Sequence, residues 1–157
     1  MKASTVIVAI ALALSSASAM ADNGLITKSS KNSVKDTIEK FEAAIKAKAA
    51  GGWVVFTRID HAAAAREAGL EMRPRTVIVF GNPKGGTPPM TKSATLSIDL
   101  PMKALVWQDD QDKVWLTYNS SEYGAKHVFP RHGLAVPDDA SKALEKFLAD
   151  ATDQSTL

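Results

Sequence analysis

The sequence predicts a single domain of mixed helices and strands, and three observations carry that expectation. Apolar residues recur at helical spacing in two stretches, near 34–49 and 140–151. β-Branched and aromatic runs stand at 53–59 and 76–80, and two more at 102–108 and 113–118 bracket the acidic tetrapeptide DDQD as a hairpin would.

Taken in order, LITK (25–28) is a short strand candidate. Ser33 opens a helix, with Asp36 in the position a capping box uses. Val34, Ile38, Phe41, Ile45 and Ala49 form its apolar stripe, Asp36/Lys40 and Glu42/Lys46 are i,i+4 pairs on the solvated side, and Gly51-Gly52 ends it. WVVFTRI (53–59) is the next strand, so the chain opens strand-helix-strand; Asp60 then caps a short helix, HAAAAREA, closed by Gly69. TVIVF (76–80) reads as a buried strand. With a four-residue hairpin over DDQD, Leu105 and Trp107 face Leu116 and Val114 on one side of the sheet, while Val106 and Trp115 point to the other. Pro137, Asp138 and Asp139 open a closing helix whose stripe is Ala140, Ala143, Leu144, Phe147, Leu148 and Ala151, and DQSTL reads as a frayed tail. No repeat or low-complexity linker interrupts this order.

The first 21 residues read as a secretory signal peptide. Lys2 precedes an unbroken apolar run of nine, Val6 to Leu14, and small residues lead to Ala19-Met20-Ala21, an A-x-A cleavage pattern. The run is too short to span a bilayer, which takes about 20 apolar residues. Cleavage after Ala21 leaves residues 22–157 as one exported, periplasmic domain with no membrane anchor; lipidation of a new amino terminus would need a cysteine, and the chain has none. Without Lys2, 18 basic side chains face 17 acidic ones, a net charge of +1 with no clustered basic stripe, so the charge does not point to nucleic acid. The lack of cysteine also excludes disulfides, thiolate metal sites, cysteine nucleophiles and covalent c-type haem.

FGNPKGGTPPM (80–90) follows the TVIVF run and resembles a phosphate cradle only superficially. Thr87 stands where a Walker loop needs lysine, Pro83, Pro88 and Pro89 remove backbone donors, and no G-x-G-x-x-G is present. The segment Gly81–Asp99 is expected instead to be a ligand-facing loop, with Asn82, Thr87 and Met90 directed into a pocket. The competing reading is a plain turn at Asn82-Pro83 with Met90 plugging the core. There is no G-x-S-x-G elbow and no H-E-x-x-H, and DDQD lacks the glycine and distal glutamate of a calcium loop. His61, His127 and His132 with Met72, Met90 and Met102 leave a copper site or a non-covalent haem as a minority option; no cofactor is required by the sequence.

IDHAAAAREAGLEMRPRTVIVFGNP, GTPPM and DLPMKALVWQDDQDKVWLTYN together resemble the bacterial "domain of unknown function 302" family, over about Lys28 to Ala149. The resemblance implies an α+β fold: a twisted, mainly antiparallel sheet with helices packed on one face, in the order β-α-β(4)-α, with the short helix from His61 as an elaboration. It also implies a homodimer. It supplies no activity and no catalytic residues.

Three function classes stay open at this point. The first is a periplasmic module that binds or senses a small ligand in a sheet-helix crevice, using Asn82, Thr87 and Met90 with His61 and Asp99 nearby. The second is an enzyme, which would need a polar cluster such as His61, Asn82 and Asp99. The third is a structural protein whose contact is the dimer face.

Overall fold

The computed structural model describes residues 23–157, so the expected signal peptide at 1–21 lies outside the described residues. Ten elements follow: β1 (Leu25–Ser30), α1 (Val34–Lys46), β2 (Val54–Asp60), α2 (His61–Glu67), β3 (Arg75–Gly81), α3 (Pro83–Lys92), β4 (Met102–Gln108), β5 (Val114–Asn119), α4 (Ser121–Tyr123) and α5 (Asp138–Thr156), with short 3₁₀ turns between some of them. The strands form one sheet in the order β1-β5-β4-β3-β2, and every neighbouring pair is antiparallel. β1 and β2 are therefore the two edges, and the strand-helix-strand opening is a crossover of the whole sheet rather than a paired unit.

Local chemistry explains the helices. Ser33 Oγ accepts from the Asp36 backbone N–H at 3.0 Å and starts α1, as the sequence implies. Asp60 Oδ1 accepts from the Ala63 N–H at 2.9 Å and starts α2. α1 presents Ile38, Phe41, Ala44 and Ile45, and α5 presents Leu148 and Ala151, to one sheet face made of Ile78, Phe80, Ala104, Val106, Leu116 and Tyr118. Burying these side chains drives the fold, each of the Val, Leu, Ile and Phe residues contributing roughly 1.5–3 kcal/mol relative to exposure.

Three expectations about packing need correction. Glu42 is not on the solvated side: its side chain is buried and ion-paired with both Lys46 and Arg58 of β2. The Arg58 guanidinium hydrogen-bonded to it holds the Glu42 carboxyl below the usual carboxylate range. The hairpin is shifted by one residue. Trp107 pairs with Trp115 and Leu105 with Thr117, so Leu105, Trp107 and Trp115 share one face while Val106, Val114 and Leu116 face the helices. The cause is the turn: the Asp109 N–H donates to Lys113 O at 2.9 Å, leaving a three-residue loop that ends on Asp112 at φ 62°. A one-residue slip reverses every side chain of one strand relative to the other. The carboxy-terminal DQSTL is not frayed. Ser155 and Thr156 are buried, and their carbonyls accept from Asn32 Nδ2 at 3.1 Å and the Lys31 N–H at 2.9 Å.

Candidate functional site

At the end of the helix-covered sheet face, where β3 ends and β4 begins, the helices do not close over the sheet. They leave a cavity of about 550 Å³. Its floor is Phe80, Met102 and Tyr118 of the sheet; one wall is α3 and the segment to Pro101, a second is the turn following β5, and the third is the first half of α5 with Ala140, Leu144 and Leu148.

The α3 wall corrects the expected loop. Residues 83–92 form a helix that contains Pro88 and Pro89, which deprive the carbonyls of Lys84 and Gly85 of their intrahelical donors. Asn82 makes the helix possible by capping it: Oδ1 accepts from the Gly85 N–H at 3.3 Å, and Nδ2 donates to Gly51 O at 3.0 Å. That second bond ties the helix to the turn after α1. There Gly52 has φ 95°, and a Cβ on it would stand 2.7 Å from Asn82 Oδ1, so only glycine fits.

The second wall had no assigned element in the sequence reading. Ser120 Oγ accepts from the Tyr123 N–H at 3.1 Å to start α4, which continues into a π-helical turn over Gly124–Val128. Ala125, Val128 and Phe129 from this stretch line the cavity. The signal was present in principle: an amino-terminal serine, Glu122 in the first turn, and apolar residues at i, i+3 and i+4. The Glu145 carboxylate of α5 holds this wall, accepting from Tyr118 OH at 3.1 Å and from the Ser121 N–H at 2.7 Å. Burial, with the Glu145 charge beside it, pushes the Tyr118 hydroxyl pKa up, so it remains a donor.

An ion cluster joins the first two walls. Asp99 takes two hydrogen bonds from Arg131, Nη2 to Oδ1 at 2.6 Å and Nε to Oδ2 at 2.9 Å, and His132 Nε2 lies 2.7 Å from its Oδ2. His132 Nδ1 is 2.8 Å from Thr95 Oγ1. His132 and Arg131 together hold the Asp99 carboxyl below its usual range. Carboxylate, imidazole and hydroxyl stand in line as in a hydrolase relay, but Arg131 engages both carboxylate oxygens and Thr95 is not part of the cavity lining. The chain acts as a brace across the two walls.

Of the five residues singled out from sequence, Asn82, Met90 and Asp99 line the cavity. Thr87 is exposed on α3 and His61 is exposed at the start of α2, and neither lines it. The polar cluster of His61, Asn82 and Asp99 does not assemble around the cavity. Met90 is half-buried in the lining rather than a core plug. Among the described residues no group of three or more His, Asp or Glu side chains stands where it could hold a metal ion.

Comparison with known proteins adds the following. The chain is similar to a protein named fluoride-specific ion channel FluC 1 from Brucella suis biovar 1, 44% identical over 120 residues that cover 76% of this chain and 44% of that one. It matches the Brucella abortus biovar 1 protein of the same name at 44% identity over 42% of that protein's length. The chain thus spans less than half the length of these curated relatives. A solved structure, an uncharacterized conserved protein DUF302 from Bacillus stearothermophilus, superposes with a TM-score of 0.67 over 85% of this chain and 98% of that one at 18% identity, which shows the fold. The family model described as "Domain of unknown function DUF302" matches residues 26–151, nearly all of the described chain, and the protein belongs to that family.

Proposed function

We propose that the protein is an exported, periplasmic module that binds or senses a small molecule, with the cavity between α3, α4 and α5 as its site. The observation that carries this reading is the cavity itself: at about 550 Å³ it falls within the roughly 300–1,000 Å³ of small-molecule sites, and it is lined mainly by apolar and aromatic side chains. Met90 and Met102 give it an adaptable lining, and Asn82 and Asp99 fix the walls that enclose it. The segment shared with the relatives named as channels is under half of those proteins, and none of the described helices is long and apolar enough to cross a membrane.

Native mass spectrometry of protein recovered from the periplasmic fraction of its own host tests both parts of the proposal. The expected species has the mass of residues 22–157 plus a small molecule that organic extraction removes. Full-length chain in a membrane fraction would contradict export, and a bare mature mass with nothing in the extract would count against the ligand.

A second reading, a homodimer, rests on the other face of the sheet. Leu105, Trp107 and Trp115 lie there, opposite the face that α1 and α5 cover, and the two indoles stack with ring centroids 6.0 Å apart. Both indoles are half-buried within the monomer, and a second copy would cover the apolar surface that they leave to solvent. Sedimentation at micromolar concentration is expected to give twice the monomer mass, and Trp115→Glu to give a folded monomer. A wild-type monomer under those conditions refutes this reading without touching the cavity.

A further inference from the structure

We infer that the cavity selects an uncharged, predominantly hydrocarbon molecule; the inference rests on the ligand-binding reading above and narrows it. Most polar side chains of the lining already have partners within the protein. Both ends of the Asn82 amide are engaged by Gly51 and Gly85. Both oxygens of Asp99 are taken by Arg131 and His132. Tyr118 OH donates to Glu145, and Ser121 Oγ donates to Ser141 O at 2.7 Å. Ser120 Oγ is the cap of α4. Asn119, the lining residue whose side-chain amide makes none of these bonds, is solvent-exposed.

A ligand that enters must give up its hydration. Apart from the Gly85 carbonyl, which Pro89 leaves without its intrahelical donor, a charged or strongly hydrogen-bonding group would find the buried side-chain partners committed and would lose that hydration without replacement, which is the costly case. Lys103, the basic residue of the lining, is solvent-exposed and its Nζ donates to the Asp99 and Pro101 carbonyls at 3.4 and 3.2 Å; Asp99 is paired with Arg131, and the Glu145 carboxylate behind Tyr118 weighs against an anion. What the interior offers freely is dispersion and apolar contact, from Phe80, Met90, Met102, Leu144, Val128 and Phe129.

A matched pair of fluorescent probes separates the class of ligand from the existence of the site. N-phenyl-1-naphthylamine is neutral, and 8-anilino-1-naphthalenesulfonate carries the same ring system with one sulfonate. Gly86→Leu is the blocking variant. Gly86 lines the cavity within α3, and a Cβ there would stand 3.7 Å from Met90 Cε and 3.8 Å from Leu100 Cδ1, in ordinary contact. Leucine is also the better helix former. Ala140→Trp, on the exposed first turn of α5, repeats the block from the opposite wall.

The neutral probe is expected to bind saturably, one per chain, with the sulfonate at least about tenfold weaker, a difference of about 1.4 kcal/mol. Either blocking variant should weaken the neutral probe at least as much while melting at or near the wild-type temperature. If both probes bind alike and the variants weaken both, the uncharged class is overturned and the cavity stands as the site. If neither probe binds, or if both variants leave binding unchanged, the cavity reading itself falls.

Discussion

Phe80→Ala is expected to destabilise the protein by about 3–5 kcal/mol, the range for truncating a fully buried aromatic. Phe80 has no exposed surface, meets Phe41 edge-on with ring centroids 5.3 Å apart, and packs at 6.4 Å from Trp53, which in turn stacks on Phe147 of α5 at 3.9 Å. One ring thus joins the sheet to both covering helices while forming part of the cavity floor. The exposed edge-strand substitution Val54→Ala serves as the reference, with an expected change of about 0.5 kcal/mol or less. Denaturant titration of both variants measures the difference. A Phe80→Ala loss no larger than that of Val54→Ala would mean that this end of the sheet is not packed as described.

Glu145→Ala is the second large effect. Its carboxylate is the partner of two groups on buried residues, the Tyr118 hydroxyl and the Ser121 N–H. Removing it leaves both unpaired, at about 1–3 kcal/mol for each. Glu145→Gln keeps one carbonyl oxygen and should lose clearly less. Because Ser121 is the first residue of α4, hydrogen exchange at its amide and through Gly124–Val128 should quicken in the alanine variant. Unchanged stability together with unchanged exchange would remove Glu145 as the support of that wall.

Parts of this architecture were legible in the sequence because their signals are local. Ser33 and Asp60 cap where their side chains reach the next turn, and the 3.6-residue stripe of α1 follows from which face meets the sheet. The parts that were not legible depend on partners far along the chain. Glu42 reads as a surface member of an i,i+4 pair, and only the position of Arg58 on β2 draws it inward. The hairpin register turns on Asp112 adopting a left-handed φ in a loop without glycine. Pro88 and Pro89 remove backbone donors and the segment reads as a loop, yet α3 forms, because Asn82 caps it and Pro83 gives up no bond at the first helical position. At the site, Asn82 and Met90 were visible from the glycine- and proline-rich segment. The Arg131–His132 brace was not, since it joins residues about 32 positions from Asp99. The tail looked polar and free, yet its carbonyls serve as acceptors for Lys31 and Asn32.

The methionine methyl groups offer the most direct test of the cavity as a ligand site. Met90 and Met102 line it, whereas Met72 is exposed and outside the lining. In a carbon-13 methyl-methionine spectrum titrated with N-phenyl-1-naphthylamine, the Met90 and Met102 resonances should shift together and saturate at one probe per chain, with Met72 unmoved. Saturable probe binding that leaves Met90 and Met102 in place would contradict the assignment of the cavity.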